Sequence, residues 1–259
     1  MQEPKQWIWW AVPVVVVAGL GGALYYGKQQ KEQQVAVAPP AAAPAPSGST
    51  PPVNHPITPP PSAKPLPTLG DSDAAVQESL GELFGRSLES FLVPKQIIRH
   101  IVVTVDNLPR KKTAVPMWPL KPTTGTFMVA TPDDPTLSED NAARYAPLIK
   151  LVQTADAAQL AAIYKHYYPL FQEAYVGLGY PDGYFNNRLI EVIDHLLATP
   201  ELPGSVKLTQ PSVFYQFADP TLEDRSAGQK VLLRMGNGNA TVVKAKLREL
   251  RKEIAKSES

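Results

Sequence analysis

Apolar residues recur at three- and four-residue intervals between residues 156 and 201, where aromatic and aliphatic side chains are densest. This spacing places them on one face of an α-helix. Asp156 is expected to cap that helix, because its side-chain oxygen can accept N–H groups of the first turn. Pro169 lacks an N–H group and is expected to kink or restart the helix. The predicted apolar face comprises Leu160, Ile163, Tyr164, Tyr167, Tyr168, Leu170, Phe171, Ala174, Tyr175 and Leu178.

A second helix is predicted from about Asn186 to Ala198, directly after the turn sequence YPDG at residues 180–183. Proline presets φ in such a turn, and glycine tolerates positive φ. Apolar residues cover more than half of the helix circumference, which predicts deep burial. Two helices joined by a short turn are expected to be antiparallel neighbours. This helical hairpin is the predicted core.

Helical periodicity extends towards the N-terminal side of this hairpin. A helix is predicted to open at residues 71–73, where two aspartates suit the positive end of the helix dipole. Pro94 fits the first position of the next helix. Residues 97–105 favour a helix over a strand, because Ile97, Ile101 and Val105 are four residues apart.

The C-terminal side is also predicted to be helical, from Ser226 to Met235 and from about Ala240 to Lys256 with Asn239 as the cap. The sequence GNGN at residues 236–239 is predicted to be a tight turn between these two helices, although a helix N-terminus can also hold an anion. The apolar seam of the last helix is expected to pack on the domain, with the acidic first helix as candidate neighbour. Association with a partner helix is the alternative.

Prolines interrupt every pattern between residues 107 and 141, which predicts a long irregular segment. A short helix is predicted over residues 142–152. The strand candidates are residues 126–129, 206–208 and 213–217. The predicted fold is therefore mainly α, a compact helical domain with at most a few short strands.

An uncharged apolar run from Trp7 to Tyr26 begins and ends with aromatic residues. Its twenty residues suit the roughly 30 Å hydrocarbon core, and aromatic residues are typical of both membrane interfaces. A single transmembrane helix is predicted here; a cleaved signal peptide is the alternative. The chain is thus divided into a tail (1–6), a transmembrane helix (7–26), a Pro/Ala-rich linker (27–69), a helical domain (70–256) and a second tail (257–259).

Lys5 and the amino terminus precede the anchor, and Lys28 and Lys31 follow it, offset by Glu32. The positive-inside rule therefore does not fix its orientation. An anchor, a proline-rich spacer and a cysteine-free domain are typical of a bacterial inner-membrane protein whose C-terminal domain faces the periplasm. The inverted, cytosol-facing topology remains open. The membrane is the predicted partner of residues 7–26. No nucleic acid is expected, because the domain is nearly neutral.

Polar residues within the central hairpin are the candidate ligand cluster. Glu191 and His195 are four residues apart and can share a helix face with Asp194, and a His–carboxylate pair can bind a metal or act as a general base. A polar pocket in a buried helix is the favoured interpretation, so no catalytic residue, metal or cofactor is assigned. The full candidate cluster is His166, Tyr184, Asn186, Arg188, Glu191, Asp194 and His195.

Three long motifs carry a family resemblance, namely IIRHIVVTVDNLPR, YPLFQEAYVGLGYPDGYFNNRLIEVIDHLLATPE and FADPTLEDRSAGQKVLLRMGNGNATVVKAKLRELR. In this order they resemble the bacterial family called domain of unknown function 3014, over roughly residues 69–256. The resemblance implies a Gram-negative source and an envelope setting, but no activity. The expected function is a non-enzymatic periplasmic interaction domain that binds an envelope protein or cell-wall component. The alternative is a periplasmic hydrolase of an envelope polymer that uses Asp194 and His195.

Overall fold

The computed structural model describes residues 52–60, 65–112, 115–131, 133–202 and 204–256. The predicted anchor, Trp7 to Tyr26, and the predicted tail at 257–259 lie outside these residues. None of the helices within the described part is long and apolar enough to cross a membrane.

Helices make up most of the described chain, with one small sheet. The α-helices are α1 (Asp73–Phe84), α2 (Ile97–Asn107), α3 (Asp140–Ala143), α4 (Ala146–Thr154), α5 (Ala157–Val176), α6 (Phe185–Leu197), α7 (Pro220–Glu223), α8 (Ala227–Arg234) and α9 (Asn237–Ala255). The antiparallel strands are β1 (Leu208–Thr209) and β2 (Gln216–Phe217). The domain is therefore mainly helical with a few short strands, as the sequence predicts.

The C-terminal helix α9 lies at the centre of the packing. It packs mainly against α5, α6 and α4, and α2 also packs against α5 and α6. Its seam residues Val243, Leu247, Leu250 and Ile254 are all buried. The acidic first helix, α1, packs mainly against α5 and α2 rather than against α9. The predicted hairpin of α5 and α6 thus belongs to the core, but α9 completes it.

Side-chain caps set the start of several helices. Asp156 caps α5 as predicted, since its Oδ1 accepts the N–H of Gln159 at 2.8 Å. Helix α2 begins at Ile97 and not at Pro94. Its first N–H groups are satisfied from α1, because the carboxylate of Asp73 accepts the N–H of Gln96 at 2.7 Å and of Ile97 at 2.9 Å. The cap of α2 is therefore a tertiary contact.

Two further expected boundaries, a restart of the helix at Pro169 and a start at Ala240, were wrong. Pro169 neither ends nor restarts α5, which runs through it; the proline faces solvent, where water can satisfy the carbonyl that its missing N–H leaves unpaired. Helix α9 begins at Asn237 and not at Ala240. Gly236 turns the chain between α8 and α9 with φ of 84°, so the predicted interhelical turn becomes the first turn of α9. Asn239 instead donates to the carbonyls of Ala142 and Met235.

A smaller apolar cluster lies under the sheet. It is formed by Leu202, Val206, Leu208, Phe217 and Leu233. The strands are two residues long, shorter than the predicted runs, and the candidate strand at 126–129 forms a single bridge between Val129 and Leu137. Between α2 and α3, the described part of the proline-rich stretch forms a short 3-10 helix at Val115–Met117 and is otherwise largely irregular, with Trp118 and Leu120 buried.

Candidate functional site

The structure gives the side chains of the predicted His–carboxylate cluster different hydrogen-bond partners. Asp194 forms an ion pair with Arg251 of α9, with N–O distances of 2.5 and 2.8 Å. Glu191 accepts from Arg188 at 2.8 Å. His166 lies in a different cleft, between α1 and α5, beside Tyr167. Within the described residues, no group of three His, Asp or Glu side chains is placed to hold a metal ion.

A buried carboxylate that the sequence analysis did not single out joins α2 to α6. Asp106 accepts from Arg110 at 2.6 Å, from Arg188 at 3.2 Å and from the hydroxyl of Tyr180 at 3.2 Å. The Nη2 atom of Arg188 also donates to the backbone carbonyl of Asp106 at 3.0 Å. The side chain of Asp106 is only 6% exposed. Because the carboxylate is paired and hydrogen-bonded, this network is a structural tie between two helices.

The remaining members of the cluster, Tyr184 and Asn186, bind another part of the chain together with Asn187. We call these three residues at the start of α6 the docking site. Residues 52–60, which the sequence analysis places in the linker, lie against it as a non-helical segment with a bend at residues 54 and 55; we call them the docked segment.

Every side-chain hydrogen bond from the docking site to the docked segment goes to the segment's main chain. Asn187 donates to the carbonyl of Pro52 at 2.9 Å and accepts the N–H groups of Asn54 and His55, each at 3.2 Å. Asn186 donates to the carbonyl of His55 at 2.9 Å. The hydroxyl of Tyr184 accepts the N–H of Ile57 at 2.6 Å. All five hydrogen bonds therefore go to the backbone of the docked segment.

A buried polar network fixes the orientation of Asn186. Its side chain is fully buried, accepts from the hydroxyl of Tyr164 at 3.1 Å and donates to the carbonyl of Ile254 in α9 at 3.1 Å. The hydroxyl of Tyr168 accepts the N–H of Asn186 and donates to Gln172 at 3.0 Å. Burial raises the pKa of Tyr164 and of Tyr168, which keeps both phenols protonated and able to donate. The amide is thus held rigidly towards the docked segment.

The sequence model of "Protein of unknown function (DUF3014)" matches residues 97–251, more than half of the chain. The chain belongs to the DUF3014 family. This confirms the resemblance that the three motifs carry. No curated protein and no solved structure matches the chain.

The DUF3014 match contains the whole docking site and the Asp106 network, and it runs from the start of α2 into α9. The docked segment, residues 52–60, precedes the match. The family description assigns no activity to any of these residues.

His195 of the DUF3014 domain links α6 to α8. Its Nε2 lies 2.8 Å from the hydroxyl of Ser226, which also caps α8, and its backbone carbonyl accepts from Gln229 at 3.1 Å. Burial lowers the pKa of His195, and the charge of nearby Glu191 opposes that shift in part. Neutral imidazole is therefore the favoured form in the folded protein.

The lowered pKa of His195 predicts a loss of stability on acidification. The unfolded chain binds the proton more readily, with a pKa near 6.5, so the free energy of unfolding falls as the pH drops through and below that value. His195→Gln should remove that share of the decrease, because glutamine does not titrate in this range. Urea titrations between pH 8 and pH 5 measure it.

The value at pH 8 is the internal control for this variant. There His195 is neutral in both states, so the difference between variant and wild type reports only the lost contact with Ser226. The difference should shrink as the pH falls. Parallel pH profiles for the two proteins would show that His195 does not contribute to the acid sensitivity.

Proposed function

We propose that this DUF3014 chain is a non-enzymatic interaction protein of the Gram-negative inner membrane. Its predicted anchor and proline-rich linker hold the helical domain in the periplasm, where the domain binds an envelope protein or a cell-wall component. The observation that carries the proposal is the docking site, where Tyr184, Asn186 and Asn187 bind five main-chain groups of a non-helical segment. A surface that binds backbone in this way is suited to protein recognition.

The contacts of the other cluster members support binding over hydrolysis. A general base needs to lie within hydrogen-bond reach of the proton that it removes, with a partner that orients it. The carboxylate of Asp194 faces Arg251, and the ring of His195 faces Ser226. Glu191 pairs with Arg188. The contacts of Asp194 and His195 connect α6 to α9 and α8. We therefore do not propose that this chain is a hydrolase.

The proposal predicts a specific partner in the envelope and a periplasmic C-terminus. Crosslinking of the full chain in living cells, followed by mass spectrometry, should recover an envelope protein or glycan that a control with only residues 1–69 does not. A topology reporter fused after Ser259 should be active in the periplasm. Recovery of the same material by the control would contradict the binding role, and a cytosolic reporter signal would contradict the location.

A further inference from the structure

The docking site is occupied by a segment of the same chain, yet its side-chain hydrogen bonds go only to the main chain of that segment. We propose that it is a peptide-binding site, that residues 52–57 occupy it as an intramolecular ligand, and that a non-helical segment of a partner protein binds by displacing them. This inference rests on the proposed function and deepens it, because it names the surface and the chemistry of the partner segment.

The pattern of hydrogen bonds defines which segments fit. The N–H groups of Asn54, His55 and Ile57 are used, so a ligand cannot have proline at these three positions. Proline is accepted at positions 52 and 56, where the docked segment itself has proline. Ile57 is half-buried and packs against the main core. The ligand is thus a six-residue non-helical peptide with an aliphatic side chain at its last position.

The exposure of the docked segment makes it suitable for displacement. Only His55 and Ile57 are partly buried, and Val53 is 49% exposed. The segment therefore buries little apolar surface, and the entropy cost of ordering it opposes the few contacts that it gains. Two of the five hydrogen bonds, those of Asn187 with Pro52 and Asn54, are exposed, so water can replace them.

Connection to the domain compensates for these weak contacts. Only residues 61–64 separate the docked segment from the described chain at Pro65. A short connection of this kind gives an effective concentration in the millimolar range. The segment can therefore occupy the site without a partner, while a partner that binds more tightly, or is concentrated at the membrane, replaces it.

A substitution at Asn187 can test peptide binding without changing the stability of the domain. Its described hydrogen bonds all go to the docked segment, and its side chain is half-buried at the surface. Asn186 differs, because it also binds Tyr164 and the C-terminal helix. Asn187→Ala should therefore weaken peptide binding while the helical domain remains folded.

The test uses the full chain in detergent micelles and a fluorescent peptide of its own sequence, PPVNHPITPP, residues 51–60. Ile57→Pro removes the N–H that Tyr184 accepts and the aliphatic side chain, and so weakens the intramolecular ligand. Fluorescence anisotropy should show at least tenfold tighter peptide binding to Ile57→Pro than to wild type. Adding Asn187→Ala to Ile57→Pro should reduce that affinity about tenfold, with an unchanged circular dichroism spectrum.

Peptide sequence and assembly state provide the controls. The same peptide with proline at the isoleucine position should not bind. Equal peptide affinity for wild type and Ile57→Pro would overturn the intramolecular occupancy, and an unchanged affinity after Asn187→Ala would overturn the site. Sedimentation of both proteins tests whether the segment binds within its own chain. If the wild type is a dimer that Ile57→Pro dissociates, the segment binds a second copy, and the intramolecular occupancy is overturned.

These outcomes are independent of the search for an envelope partner. If peptide binds as predicted but crosslinking recovers no envelope partner, the site stands and the proposed function fails. If a partner is recovered but the peptide does not bind, the interaction uses another surface and this inference fails.

Discussion

Phe185→Ala is expected to lower the free energy of unfolding by about 3–5 kcal/mol, as large truncations of buried aromatic residues do. Phe185 is the first residue of α6 and is fully buried. Its ring stacks on Phe171 with centroids 5.8 Å apart and contacts Tyr175 at 5.4 Å. The truncation removes these contacts where α5 meets α6. It would also enlarge a small apolar cavity that the ring already lines.

Phe214→Ala is the matched control for this truncation. Phe214 is half-buried in the loop before β2 and belongs to neither apolar cluster. Its removal should cost about 1 kcal/mol or less, because large effects of single substitutions come from buried sites. Urea unfolding followed by circular dichroism compares both variants with wild type. Similar midpoints for the two variants would refute the assignment of Phe185 to the core.

Asp106→Ala is expected to be comparably destabilising, by about 3–5 kcal/mol, because removing one partner of a buried pair is strongly destabilising and Arg188 keeps only the exposed Glu191 as a charged partner. Arg188, whose side chain is 19% exposed, would lose its contact with the carboxylate. Arg110 and the hydroxyl of Tyr180 would lose theirs as well. Thermal and urea unfolding of the variant measure the effect on the tie between α2 and α6.

Asp134→Ala tests whether burial causes the effect at Asp106. Asp134 pairs with Lys207 at 3.0 Å, and both side chains are about two-thirds exposed. Exposed pairs contribute about 0–1 kcal/mol, so this variant should unfold close to wild type. A loss at Asp106 no larger than the loss at Asp134 would show that the network does not stabilise the domain.

The helices of the core were predictable from sequence because their signals are local. The spacing of Leu160, Tyr164 and Phe171 predicts α5, and Asp156 predicts its start. The preference for a helix over residues 97–105 is confirmed by α2. Boundaries that depend on distant residues could not be predicted in this way. The start of α2 requires Asp73 of another helix, and no periodicity reveals that contact.

The sequence indicated polar residues of the candidate site, but it did not indicate how they are arranged in space. The sequence analysis named Tyr184 and Asn186, but their contacts are with residues about 130 positions earlier in the chain. The grouping of Glu191, Asp194 and His195 by spacing on one helix did not anticipate the separate partners supplied by α8 and α9. The sequence analysis missed Asp106, although it is the single carboxylate of α2.

Hydrogen exchange at the backbone amides of His55 and Ile57 tests the central claim most directly. In the full chain these two N–H groups are bound by Asn187 and Tyr184, so they should exchange more slowly than free amides. Excess PPVNHPITPP peptide should accelerate both by displacing the docked segment, and Asn187→Ala should accelerate His55. Exchange at the rate of an unstructured peptide in the wild-type chain, or protection that the added peptide leaves unchanged, would contradict the claim.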